Sequence, residues 1–211
     1  MSKQKNARKM ILRVFIVVFA VLLGLCIILG ALALVDHFLK KGKTHDPDDL
    51  TEPDYSANIF EDEAYNKLNR AVYYLEYGNG EELNETNYDR VGIASEFFYH
   101  YFDAIIRGQA DVYRSMLTDE YVKSNDVPER FTMQRLYDIR VDQCQSVSKT
   151  TYHGAETGVY YFEVQYKIYK NDGTFRDDIG SNQAITQYYE LYFVNNRFYL
   201  NAVSTKKVVK R

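Results

Sequence analysis

The sequence predicts an α+β protein: a single N-terminal transmembrane helix, then helices packed on the concave face of a curved antiparallel sheet of about four strands. Three observations carry this expectation. Val14–Val35 is an uncharged run of 22 residues, which as a helix is long enough to cross a hydrocarbon core. Between Glu61 and Leu117 apolar residues recur at helical spacing, whereas beyond Leu136 they alternate. Helices first and strands afterwards is the order of an α+β domain.

Charge and composition remove several function classes. The chain of 211 residues has 26 basic and 29 acidic side chains, for a net charge of -3. That balance hides a split: residues 1–43 sum to +7, and residues 44–211 to -10. An acidic body argues against nucleic-acid binding, which needs a cationic surface. With 46% hydrophobic residues and 15% aromatics, the chain is neither disordered nor collagen-like. Its two cysteines, Cys26 and Cys144, are too few for a disulfide scaffold or a zinc module. No cofactor, metal or catalytic motif is read from the sequence.

The apolar run exceeds the span of a cleaved signal peptide, so it reads as a signal-anchor, although Ala31-Leu32-Ala33 keeps cleavage open as an alternative. Lys3, Lys5, Arg8, Lys9 and Arg13 precede it and Lys40, Lys41 and Lys43 follow it. That excess places the N-terminus in the cytoplasm and the rest outside it, in a single-pass protein of a bacterial cell membrane. The lipid bilayer is thus the first expected partner. Ala20, Gly24 and Ala31 fall near one helical face and would allow close helix pairing, but small residues are common in such runs. The chain divides into a cytoplasmic N-terminus (1–13), a membrane segment (14–38), an acidic linker (39–60), a domain (61–205) and a basic tail (206–211).

The linker holds Pro47, Pro53 and a cluster of His45, Asp46, Asp48 and Asp49. A solvated segment cannot preorganise a metal site, so these residues read as linker chemistry. A first helix is expected over Glu61–Tyr77, from Ala64, Leu68, Ala71 or Val72, and Leu75, with Gly78 closing it. The second helix, about Val91 to Arg107, carries a stripe of Ala94, Phe97, Phe98, Tyr101 and Ile105. Its polar face holds Glu96, His100, Asp103 and Arg107, with Glu96 placed to pair with His100. A short third helix, Ala110–Leu117, turns Val112, Tyr113, Met116 and Leu117 inward.

Strands follow at Leu136–Lys149, containing Cys144, and at Tyr160–Tyr169, where Phe162, Val164, Tyr166 and Ile168 share a face opposite Tyr161. Asn195-Asn196 reads as a two-residue type I′ hairpin loop. It pairs Phe193 with Phe198, Leu191 with Leu200 and Tyr189 with Ala202 on one face, and Tyr192 with Tyr199 and Glu190 with Asn201 on the other.

The helix FFYHYFDAIIRGQADVYRSMLTDEY (97–121) and the hairpin YYELYFVNNRFYLNAVS (188–204) resemble the nuclear-transport-factor-2-like, or cystatin-like, superfamily of α+β cones. The resemblance covers about Val91 to Ser204 and implies helices wrapped by a curved sheet. Such cones host binding modules and enzymes alike. The membrane-anchored plan is similar to scaffold subunits of secretion and conjugation channels and to anchored cones of Gram-positive bacteria. The expected function is therefore non-catalytic, an extracytoplasmic binding or assembly domain with a protein partner or a second copy. Tyr161, Tyr169, Tyr192 and Tyr199 are the candidate partner surface. Phe97, Phe98, Tyr101, Tyr166 and Leu191 are the candidate pocket and core. The alternative, an isomerase- or cyclase-like enzyme or small-ligand binder, would use Tyr101, Asp103, Tyr166 and Glu190 in the cone.

Overall fold

The computed structural model describes residues 52–207. Its elements are β1 (Val72–Glu76), β2 (Asn79–Glu82), α1 (Ser95–Ile106), α2 (Ala110–Ser115), α3 (Asp119–Ser124), β3 (Leu136–Tyr152), β4 (Ala155–Ile168), β5 (Ile185–Val194) and β6 (Arg197–Ser204). The six strands form one sheet in the order β2-β1-β3-β4-β5-β6. Every neighbouring pair is antiparallel except β1 with β3, which is parallel.

This architecture corrects the expected fold class. The domain is mostly sheet, its sheet is mixed, and helices are few and short. No helix among the described residues is long and apolar enough to cross a membrane. The structure therefore lends no support to a transmembrane signal-anchor; the 14–35 run lies outside the described residues, as do His45–Asp49 and Cys26.

The largest local error concerns residues 61–77. Two short 3-10 turns, Ile59–Glu61 and Tyr65–Lys67, are followed by β1, not by a helix. The apolar residues there satisfy the helical and the alternating period together. The run Val72-Tyr73-Tyr74-Leu75 is β-branched and aromatic, a composition that suits a pleated surface. Pairing with Ile139, Arg140, Val141 and Asp142 of β3 decides the outcome. Gly78 does not close a helix. With Tyr77 (φ 51°) it forms a type I′ turn, its own φ being 84°, and that turn joins β1 to β2. Domain packing also starts inside the expected linker, because Ile59 is only 1% exposed.

Helix α1 is the element the periodicity read best. Ala94, Phe97, Phe98, Tyr101 and Ile105 are all buried, and so are Phe102, Ala104 and Ile106. Its entry is held from β1. Glu76 Oε2 accepts from the Ile93 amide at 2.9 Å, and the Tyr74 hydroxyl accepts from the Ala94 amide at 3.3 Å. The exit turns at Gly108, with φ 66°. A Cβ there would meet the Met133 nitrogen at 3.0 Å and the Phe131 oxygen at 3.1 Å.

Strands β3 to β6 form a meander whose inner face carries Val141, Phe162, Val164, Tyr166, Tyr189, Leu191 and Leu200, all buried. The β5–β6 register runs Val194↔Arg197, Phe193↔Phe198, Tyr192↔Tyr199 and Leu191↔Leu200. A bulge then shifts it, so Glu190 faces Ala202 and Tyr189 faces Val203. Asn201 is the extra residue; its Nδ2 donates to Glu190 at 2.9 Å, and its Oδ1 accepts from Thr118 at 3.0 Å. Leu200 is tied along the free edge to Met116 O and Thr118 N, each at 2.9 Å. That contact covers part of an otherwise open strand edge. The outer half of β3, paired only with β4, extends beyond β1, and Val147 there is 51% exposed instead of facing the core.

Phe98 is the point where helix and sheet meet. Its ring lies 4.9 Å from Phe162 of β4, and 6.2 Å from both Tyr74 of β1 and Tyr189 of β5. Phe98→Ala should destabilise the domain by about 3–5 kcal/mol, the range for emptying a packed aromatic site. Glu96→Ala, two residues earlier and facing solvent, should change stability by no more than about 0.5 kcal/mol. Urea unfolding of both variants reads the difference, and equal effects would refute the assigned faces.

Candidate functional site

Two places could carry function: a cleft between the helices and the β5–β6 hairpin, and a tyrosine-lined interior. The cleft follows from helical geometry. Ile93, Glu96, Phe97 and His100 stand at the spacings that put side chains on one face of α1 and the turn before it. Val112, Ser115 and Met116 do the same on α2 and just beyond its end. Phe193, Asn196, Arg197, Phe198 and Tyr199 close the other side from the hairpin, leaving a cleft of about 410 Å³. Its aromatic wall is packed, with the Phe193 and Phe198 rings 4.7 Å apart and Tyr160 on Phe198 at 5.2 Å.

The cleft mixes apolar side chains with charged and polar ones. Phe97 is buried on the floor, while Ile93 and Val112 are 46% and 44% exposed. Val112 was expected to point inward; the short α2 turns only Tyr113 into the core, with Leu117 just after it. Glu96, His100 and Arg197 are exposed. The expected Glu96–His100 pair is not formed; the His100 ring packs edge-on against Tyr88 at 5.0 Å. Among the described residues, neither Glu96 nor Arg197 has an ion-pair partner.

The interior is built differently. Tyr101, Tyr113, Tyr166 and Tyr189 are buried, and half-buried Tyr121 joins them from α3. Tyr101 lies 5.5 Å from Tyr113 and 5.9 Å from Tyr189, ring to ring. Burial pushes the hydroxyls of Tyr101, Tyr113, Tyr166 and Tyr189 above the usual phenol range. They are hydrogen-bond donors, then, and not bases. Arg176 from the β4–β5 loop reaches this group. Its Nε and Nη2 donate to Asp178 at 2.6 and 2.5 Å. With the Gln187 amide oxygen turned toward it, Nη1 and Nη2 each donate at 2.9 Å. Burial opposes the guanidinium charge, but Asp178 and the Tyr166 and Tyr189 hydroxyls outweigh it. The Arg176 contact in turn holds Asp178 below the usual carboxylate range.

The same loop is clamped by Asp172. Its carboxylate accepts from the Thr132 hydroxyl, from the Thr174 amide at 3.0 Å and hydroxyl at 2.8 Å, and from Gln134 at 3.3 Å. Burial raises the Asp172 pKa, yet these bonds together hold it below the usual range. Among the described residues no cluster of His, Cys, Asp and Glu could hold a metal ion. The Cys144 thiol is half-buried and free, its pKa pushed up by burial.

The residues singled out from sequence scatter over these places. Of the candidate partner tyrosines, Tyr161 is buried at 5% exposure, with its hydroxyl 3.3 Å from that of Ser148. Tyr169 is half-buried against the core, under the Lys170 ammonium at 4.9 Å. Tyr192 meets Tyr152 edge-on at 5.4 Å, and only Tyr199 lines the cleft. Of the candidate pocket residues, Phe97 forms the cleft floor, Tyr101 and Tyr166 sit in the tyrosine interior, and Phe98 and Leu191 are plain core. Asp103 pairs with Arg107 at 2.7 Å in solvent, and Glu190 is engaged by Asn201, so neither enters the interior. Sequence reasoning missed Arg176, Asp178 and Gln187, which sit in a polar loop and on a strand with no motif around them.

No protein-family model matches this chain, and neither does any curated protein or solved structure. Nothing in these comparisons identifies a cone-like superfamily; that resemblance rests on the sequence patterns alone.

Asp172 generates a pH prediction. Its folded pKa is depressed, so its contribution is complete above the unfolded value of about 3.9 and is lost as pH falls through the folded value. Asp172→Asn should cost about 1–3 kcal/mol near neutral pH. The gap to the unmodified chain should narrow below about pH 4, where the carboxylate protonates. Urea titrations at several pH values measure it; a gap independent of pH would refute the assignment.

Proposed function

We propose that this chain is a non-catalytic binding and assembly module that presents its acidic domain outside the cytoplasm at a cell membrane. The cleft between α1, α2 and the β5–β6 hairpin is its contact surface. The observation that carries this reading is the cleft itself, an apolar floor with exposed Ile93 and Val112 and unpaired charges on both walls. Apolar anchors inside a polar rim are the anatomy of a protein contact. The chemistry of the interior supports a non-catalytic reading. Its tyrosines are poor bases, and Asp172 and Asp178 already spend their oxygens on internal hydrogen bonds. A place as a scaffold component of an envelope or secretion-type complex fits such a module.

A photocrosslinking residue introduced at Val112 or Tyr199 in intact cells should capture a protein contact, whereas one at Lys170, 61% exposed just past the opposite end of β4, should not. Val112→Asp should abolish capture from position 199 without changing the melting temperature. Equal capture from all three sites would overturn the cleft as the contact. External protease should remove the domain from intact cells, and full protection would overturn the orientation.

A further inference from the structure

We infer that the cleft is the contact between two copies of this chain, joined about a two-fold axis. The inference rests on the reading of the cleft as a contact surface and names its occupant. A two-fold interface must be self-complementary, because each residue i that meets residue j is matched by j meeting i. The cleft has that property in its charges. It also offers each copy apolar side chains to bury, with Ile93 and Val112 exposed among lining residues that include Phe97, Met116 and Phe198.

The charges follow the same logic. The helix wall carries one carboxylate, Glu96, and the hairpin wall one guanidinium, Arg197. Both are exposed, and neither has an ion-pair partner among the described residues. Within one copy they sit across the cleft from each other. A two-fold axis through the cleft brings the helix wall of each copy against the hairpin wall of the other. Glu96 of one copy then meets Arg197 of the second, twice over, at the rim of a buried apolar contact. A partner of a single charge sign would satisfy one wall and repel the other; a second copy satisfies both.

The test uses two differently tagged full-length chains, purified together in detergent and separated on one tag. Unmodified chains should co-purify. Glu96→Arg paired with itself, and Arg197→Glu paired with itself, should each lose roughly tenfold or more in association, because like charges then oppose each other twice. Glu96→Arg mixed with Arg197→Glu should recover, since both contacts are again opposite in sign. The double variant E96R/R197E should recover with itself for the same reason. Both side chains lie in solvent in a single copy, so each variant should keep the circular-dichroism spectrum of the folded domain.

Unmodified chains that fail to co-purify overturn the inference. So do single reversals without effect, which would assign any association to another surface, and a mixed pair as weak as the single variants. Continued capture of a different protein from Val112 and Tyr199, with no co-purification of copies, removes the inference and leaves the cleft as a contact surface. Loss of both removes the cleft reading as well.

Discussion

The fold depends on the insertion of one aromatic helix face into a coiled sheet. Phe98 touches β1, β4 and β5 at once, three strands far apart in sequence. One turn on, Phe102 meets Tyr166 of β4 and Tyr101 meets Tyr189 of β5, so two turns of α1 hold the same two strands. Aromatic side chains suit this role, since each buries a large area and prefers tilted or edge-to-face neighbours. The helix is only 12 residues long and would be marginal alone. The sheet stabilises it, and it in turn covers the inner face. The parallel β1–β3 pair adds to this by placing Tyr74 and Glu76 where they hold the first turn of α1.

Burying so many tyrosines creates a second requirement. Each hydroxyl inside the domain needs a partner, or its desolvation goes uncompensated. The β4–β5 loop sets Arg176 beside them, with its fixed fork of donors shared between Asp178 and Gln187. Asp172 holds that loop in turn, through Thr132 and Gln134 at the entrance to β3. The polar network at one end of the core is thus consistent with a structural task. The exposed apolar residues and unpaired charges gather elsewhere, on the helix–hairpin cleft. That division between an internal polar network and unpaired charges on the cleft supports the proposed contact role.

How much of this was legible in the sequence differs between elements. The α1 stripe could be read because every turn of the helix faces the same sheet, so its period is uninterrupted. The β5–β6 register could be read as far as Leu191–Leu200, because the Asn195-Asn196 turn sets it locally. The bulge at Asn201 was hidden, since it answers to Thr118 and Glu190 and not to its sequence neighbours. The strand β1 was misread because its apolar residues fit two periods and only β3 chooses between them. At the candidate site, Phe97 and Tyr199 were visible as an apolar helix position and a strand tyrosine. Arg197 and Ile93 had no distinguishing pattern, as nothing local says that a hairpin end will stand against a helix start. Tyr161 looked exposed by alternation alone, yet it is buried, because alternation assigns a face and not what lies over that face.

By itself, the sequence determined the local features: the charge split between its two ends, the aromatic face of α1, the alternation of β4 and the turn at Asn195-Asn196. Each depends on residues within a few positions of one another, where backbone preference and periodicity act directly. Only the tertiary structure decided that residues 72–82 are strands, that the sheet is mixed and six-stranded, and that a cleft with opposite charges on its two walls exists. Those features require segments as distant as residues 93 and 197 to meet. What brings them together is burial of a shared aromatic core, an energy that belongs to no single segment of the chain.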